Sequence, residues 1–281
     1  MGGELRRALA GLGEVLAPDR DALDLANAGS IAATMRELRP DLVVNAAAYT
    51  DVDKAESEPE AAMAVNADAP GWLAAAAQER GAGLVHYSTD YVFDGHKAGP
   101  YREDDPPGPL NAYGRSKLAG ERAVAATGCP HLILRTGWIY GPHGRNFFLT
   151  LRRLARERRE LRVVDDQFGS PTPARAVAIA TAQAIAGFCE GGKVDAGRML
   201  ERGGLFHMTA AGSTSWYGFA QRILRDMPGA PAVVPVSSEE FGAPALRPAN
   251  SVLDNGRLNA RLGIRLPHWE EGLQACLEET R

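Results

Sequence analysis

Three apolar blocks punctuate the first half of the chain. They lie at Leu42-Val43-Val44, at Leu84-Val85 running on through His86-Tyr87, and at Leu132-Ile133-Leu134. Short continuous apolar runs of this kind mark strands buried on both faces, as in a parallel sheet. Between them the period changes to that of helices. Ser30 is placed to cap a helix over Ile31–Leu38, with Pro40 past its end. Residues 59–80 read as one or two helices interrupted by Asn66 and Pro70, and Leu118–Ala126 is rich in Ala, Glu and Arg. Before the first block, Met1–Leu9 reads as a helix closed by Gly11 or Gly13, and Glu14–Asp19 reads as a strand. Alternating strands and helices predict an α/β fold with a doubly wound parallel sheet. After Gly141–Gly144 the pattern shifts. Phe147, Phe148, Leu151 and Leu154 recur at helical spacing within a helix over 146–159. A loop follows at Gln167–Pro173, then a small-residue helix over 174–188, a returning strand over 205–209, a helix capped by Ser215 and a last helix over 270–279.

The stretch with the clearest chemistry is Asn111-Ala112-Tyr113-Gly114-Arg115-Ser116-Lys117. Residues four apart share a helix face, so Tyr113 and Lys117 can act on one point. A tyrosine hydroxyl titrates near pH 10, and an ammonium beside it lowers that value. The product is a phenol able to exchange a proton near neutral pH. The bare spacing also occurs on solvated helix faces. Its context adds weight: the second apolar block ends in Ser88-Thr89-Asp90, hydroxyls at the carboxyl end of a buried strand, where α/β sheets bind ligands. The small residues of Asn45-Ala46-Ala47-Ala48 would let a flat ligand lie against the backbone, although a tight strand–helix contact explains them as well. Trp138 stands at a third strand end, as a ligand-packing face or as core.

Strand-end hydroxyl, tyrosine and lysine in this order resemble the short-chain dehydrogenase/reductase superfamily, and the chain resembles its extended branch. The stretches Asn45–Glu56, Gln167–Pro173 and those from Trp216, Arg247 and Pro267 are similar to the dTDP-4-dehydrorhamnose reductase family within that branch. The resemblance implies a Rossmann-type fold with a dinucleotide-binding domain over 1–145. Residues 146–281 are then mainly a substrate domain, with parts of 171–212 returning to the first. It implies reduction of a keto group on a nucleotide-linked sugar by NADPH or NADH, with Tyr113 as proton donor, Lys117 as its partner and Thr89 (or Ser88) on the ketone oxygen. It places Gly2, Asp19, Arg20, Asp24, Leu25, Ala47, Ala48 and Tyr49 at the cofactor, with Tyr113 and Lys117. Val52, Thr89, Asp90, Tyr91, Trp138, Arg247 and Asn250 are then at the substrate. Some reductases of this family use Mg²⁺. The family opens with a strand and Gly-x-x-Gly-x-x-Gly, whose turn brings the pyrophosphate to a helix amino end. Only the last glycine is matched here, by Gly2. Either the start is placed too late, or half of the phosphate site is lost. The competing readings are a reductase of another nucleotide-linked keto sugar and a non-catalytic regulatory relative. The intact catalytic set and the central place of a first strand favour the late start and the enzyme.

Composition narrows the partners. The 281 residues are enough for one large or two modest domains, and 45% apolar with 23% charged residues is ordinary for a soluble globular protein. A net charge of −4 argues against a nucleic-acid binder. The basic run Arg152–Arg159 is interrupted by Glu157 and reads as a solvated helix face. Cys129, Cys189 and Cys276 form neither a metal spacing nor a disulfide framework, which fits a reducing cytoplasm. No metal site is expected among the six scattered histidines, and His86 on its buried strand reads as a hydrogen-bonded core residue. Neither a membrane span nor a signal peptide is expected, and a homodimer is a candidate assembly.

Overall fold

A computed structural model of the chain describes residues 1–280. The main elements, in chain order, are α1 (Gly2–Leu9), α2 (Ala28–Leu38), β1 (Leu42–Asn45), α3 (Ala69–Glu79), β2 (Gly83–Thr89), α4 (Ala112–Ala126), β3 (His131–Thr136), α5 (Phe147–Glu157), β4 (Glu160–Val164), α6 (Ala174–Ala186), β5 (Gly204–His207), α7 (Trp216–Leu224), β6 (Ala232–Val236), α8 (Gly256–Leu262) and α9 (Trp269–Glu279). The principal sheet is all parallel, in the order β1-β2-β3-β5. All seven residues of β2 are buried, as its apolar run requires.

Both faces of the sheet are covered, as the sequence pattern predicts for a doubly wound fold. On one face Ile31 and Met35 of α2, Leu73 and Ala77 of α3 and Val124 of α4 pack with Leu84 and Ile133. On the other, Leu5 of α1, Val177 and Ile185 of α6, Met199 of a short helix over Ala196–Arg202 and Leu258 of α8 pack with Val85, Leu132 and Phe206. A separate core joins α5, β4, α7 and α9 through Phe148, Leu151, Leu161, Phe219, Trp269 and Leu273. Each such side chain, fully buried, contributes about 1.5–3 kcal/mol of transfer free energy.

Two expectations need correction. Glu14–Asp19 is not a strand; the segment is irregular and mostly exposed, with Leu16 49% accessible. A strand is stabilised by hydrogen bonds to a neighbour, and β1, at the sheet's edge, pairs only with β2 among the described residues. The 59–80 stretch is two helices, as the sequence pattern suggests. A helix over Pro59–Met63 passes through a π-helical turn at Ala64–Asp68 into α3. The expected strand over 131–140 is interrupted. Trp138 adopts a left-handed φ of 51° between β3 and a two-residue strand, Ile139–Tyr140.

Candidate active site

The carboxyl ends of β2 and β3 and the first turns of α4 form one buried polar cluster. Asn111 starts α4: its side chain accepts from the Gly114 N–H at 2.7 Å and donates to the Leu246 carbonyl at 2.8 Å. Two glycines let α4 approach closely. A Cβ on Gly114 would lie 2.3 Å from the Tyr91 carbonyl oxygen, and one on Gly120 would lie 2.0 Å from that of Asn66. Asn66 ties the π-turn to the site, donating to Tyr49 O and to Ser116 Oγ, both at 3.0 Å, and accepting from Tyr49 N–H at 2.9 Å. Its polarity serves a buried junction rather than only breaking a helix.

Tyr113 points towards the end of β2. Burial pushes its hydroxyl up to about 12, while the nearby Thr89 hydroxyl opposes the shift. From spacing alone, an adjacent ammonium is expected to dominate and lower that value. Instead the Lys117 amine lies 3.4 Å from His86 Nε2, and burial pushes Lys117 itself down to about 8. Desolvation, which disfavours both charged forms, outweighs their attraction here. Thr89 Oγ1 donates to Asp90 Oδ1 at 3.0 Å and accepts from the Tyr91 N–H at 3.1 Å. Asp90 is 3% exposed and its Oδ2 has no hydrogen-bond partner. Burial pushes this carboxyl up to about 6, with the nearby Ser251 and Thr89 hydroxyls opposing. Tyr91 meets Tyr113 edge to face, with ring centroids 6.2 Å apart.

Behind these groups lies an ion pair. Glu121 accepts two hydrogen bonds from Arg135 at 2.8 and 2.7 Å, and a third from Ser88. Ser88 is thereby committed to Glu121, which leaves Thr89 as the strand-end hydroxyl beside Tyr113. Trp138 stacks on Trp216 with centroids 3.5 Å apart, and its ring lies against Gly169. Arg247 pairs with Asp53 at 2.9 Å and lies near the Tyr91 hydroxyl, so it reaches the site from the carboxyl-terminal half. Asn250 has its amide donors occupied by the Lys97 and Gly99 carbonyls, a loop-bracing role.

The remaining candidates sit nearer the surface. Ala47 is exposed, Ala48 and Val52 are half-buried, and the Tyr49 hydroxyl donates to Glu58 at 2.8 Å. Asp19, Arg20 and Asp24 are exposed, and Leu25 packs partly against the α2–α3 core. Gly2 begins α1, where a cleft of about 240 Å³ opens against residues 139–146. A Cβ at Gly2 or Gly3 would meet nothing within 4 Å, so this helix end is open to an anion. Among the described residues no group of three His, Cys, Asp or Glu is arranged to hold a metal, and no helix is long and apolar enough to cross a membrane. The sequence alone does not single out Asn45, Glu121, Arg135 or Trp216 for the site. An acid one turn after Lys117 and an arginine near a strand end were the available signals.

A family model described as the RmlD substrate binding domain matches residues 1–281. The dTDP-4-dehydrorhamnose reductase of Burkholderia thailandensis is 48% identical over 287 residues, covering 99% of this chain and 95% of its own. The chain belongs to the dTDP-4-dehydrorhamnose reductase family. The Escherichia coli K12 member is 43% identical, over 99% of this chain and 94% of its own. The Bacillus anthracis reductase, solved in complex with NADP, superposes with a TM-score of 0.89 at 36% identity, covering 99% of this chain and 95% of that one. The α/β fold is the one these reductases share.

Proposed function

We infer that this chain is an oxidoreductase that reduces the 4-keto group of dTDP-4-dehydro-6-deoxy-L-mannose to give dTDP-L-rhamnose with NAD(P)H. The observation that carries the reading is the Thr89–Tyr113 pair at the end of β2, with the free Asp90 oxygen beside it, in a chain of this reductase family.

The residues present fit a dinucleotide, on two grounds: the open amino end of α1 at Gly2 offers N–H groups to a pyrophosphate, and the half-buried Tyr113 and buried Lys117 offer hydroxyl and amine to a ribose. Ala47, Ala48 and Tyr49 would flank its ring system, and Asp19, Arg20, Asp24 and Leu25 its adenosine end. When bound, the cofactor supplies hydride to the ketone carbon. The electron pair of the C=O bond then moves onto oxygen. Thr89, its hydroxyl turning from Asp90 Oδ1, donates a hydrogen bond to that oxygen and fixes its position. Tyr113 gives it a proton, for which a hydroxyl with a high pKa in the free protein is in the correct, protonated form. The unpartnered Asp90 Oδ2 accepts from a sugar hydroxyl, and Tyr91 and Val52 line the same wall. Trp138, stacked on Trp216, offers a flat apolar face to the 6-deoxy methyl group. Arg247 supplies a cation for the diphosphate, and Asn250 braces the loop behind it. We assign the sheet and residues 1–145 to dinucleotide binding, residues 146–281 mainly to the nucleotide sugar, with parts of 171–212 packed on the first unit. The free cysteines suit work in a reducing compartment such as the cytoplasm.

The test is a substrate panel. The chain is incubated with NADPH or NADH and each of several nucleotide-linked 4-keto sugars, and products are identified. Formation of dTDP-L-rhamnose with the highest kcat/KM in the panel is expected. Faster turnover of a different keto sugar, or no turnover of any, contradicts the reading.

A further inference from the structure

Arg247 is held by two acceptors at once. Its Nη1 donates to the Ala245 carbonyl at 3.0 Å and its Nη2 to Asp53 Oδ2 at 2.9 Å. The other Asp53 oxygen, Oδ1, accepts from the Ala245 N–H at 3.1 Å. Carboxylate, guanidinium and backbone amide thus close one ring between the two halves of the chain. Burial raises the Asp53 pKa, but the hydrogen bonds from Arg247 and from the Ala245 N–H outweigh it and hold the carboxyl below its ordinary value. A guanidinium has more N–H donors than this ring uses. Arg247 lies near the Tyr91 hydroxyl, and the Tyr91 ring meets that of Tyr113 edge to face, so the spare donors stand at the site.

Asp53 belongs to a short helix, Val52–Ser57, that also holds the start of α4. Glu56 of this helix accepts from the Ala112 N–H at 2.6 Å. Asn111, the cap of α4, donates to the Leu246 carbonyl at 2.8 Å. Residues 245–247 and the residue before Tyr113 are therefore tied to one element. That spacing matters for a long substrate. A grip on its anionic end must leave its ketone at the proton donor, and a misplacement of about 1 Å can cost about 10²-fold in rate.

We propose that Asp53 is a positioning residue that aims Arg247 at the diphosphate of the nucleotide-linked sugar and fixes the distance from that grip to Tyr113. The proposal rests on the reading of Arg247 as the cation for the diphosphate. A guanidinium meets a phosphate through two parallel N–H bonds only when its plane is suitably turned. Asp53 and the Ala245 carbonyl set that plane before the ligand arrives, so less freedom is lost on binding. Asp53 acts through Arg247 and not on the ligand.

Two measurements on the whole chain decide it. The first is the ¹⁵N–¹H spectrum of the arginine side chains, with the Arg247 signals assigned by their loss in Arg247→Lys. Separate Nη signals, the mark of a guanidinium that does not rotate, are expected in the wild type, and they should merge in Asp53→Asn. Asparagine keeps the size of the side chain but offers one acceptor oxygen to two donors. Merged signals in the wild type, or separate signals that persist in Asp53→Asn, overturn the proposal. This readout needs neither ligand nor turnover, so it tests the aiming of Arg247 apart from the proposed function. The second is the Kd of dTDP, measured by calorimetry as a double-mutant cycle with Arg247→Ala. Asp53→Asn should weaken binding about tenfold when Arg247 is present and less than about twofold when it is already alanine. In turnover the same variant should raise KM for the nucleotide sugar and leave KM for NADPH unchanged. Equal weakening of dTDP in both backgrounds marks a merely structural role, and no weakening in either leaves Asp53 without one; both overturn the proposal. A wild type that binds no dTDP overturns the reading of the site and, with it, the diphosphate as the group at which Arg247 is aimed.

Discussion

The cluster around Tyr113 and the segment from Glu14 to Leu25 serve opposite ends of one proposed cofactor, yet they are built in contrasting ways. In the first, Thr89, Asp90, Lys117, Glu121 and Arg135 are all buried and come from two strands and a helix. In the second, Asp19 accepts from the Asp21 and Ala22 N–H groups and Asp24 from that of Ala26, bonds that reach no further than three residues along the chain. Chemistry that moves a proton gains from desolvation and fixed geometry, because fields are stronger out of water. Contact with an adenosine needs only groups held at a surface. Buried contacts across the fold fix the first end, while the second is shaped mainly by exposed turns, tied down by Thr34 Oγ1 donating to the Ala22 carbonyl and by Leu23 and Leu25 against the core.

The contrast can be broken most severely at the ion pair. Glu121→Ala leaves the buried Arg135 guanidinium without its carboxylate and Ser88 without its acceptor. Loss of one partner of a buried pair costs about 3–5 kcal/mol, so urea denaturation should show a loss of that size. Asp90 gives the next effect. Its folded pKa of about 6 lies above the unfolded value near 3.9, so the folded chain binds the proton more tightly between these values. Stability contributed by the protonated acid is present below the unfolded pKa and is lost as pH rises through about 6. The gap between the folded and unfolded values corresponds to about 3 kcal/mol. Asp90→Asn should flatten this fall, and melting followed at pH 4 and pH 8 checks it. The smallest effect is expected in the other region. Asp24→Ala should change stability by less than about 0.5 kcal/mol, as surface substitutions do, while a larger loss would show that the segment is more firmly built than its exposure implies.

What could be read from the sequence follows the same division. The Tyr113–Lys117 spacing and the Ser88-Thr89-Asp90 strand end are short-range patterns, and the apolar runs of β2 and β3 are local as well. The returning strand β5 was legible for the same reason. Pairings across the sheet were not: Asn45 meets His86 only through β1–β2 register, and Glu121 meets Arg135 only because α4 lies on β3. Lys117 shows the limit of spacing. It shares a helix face with Tyr113, but its long side chain turns to His86 and burial sets its charge. Glu14–Asp19 has the composition of a strand, and no backbone neighbour makes it one. The Trp138–Trp216 stack joins a strand end to a helix start far along the chain, with Trp138 at a positive φ.

The central claim is that the hydroxyl of Tyr113 gives the proton to the reduced sugar. The most direct test is kcat of Tyr113→Phe against the wild type with NADPH and dTDP-4-dehydro-6-deoxy-L-mannose, the variant's fold being checked by its melting curve. Loss of a positioned general acid predicts a fall of about 10²–10⁴-fold with the fold retained. Unchanged kcat in a folded Tyr113→Phe chain would contradict the account.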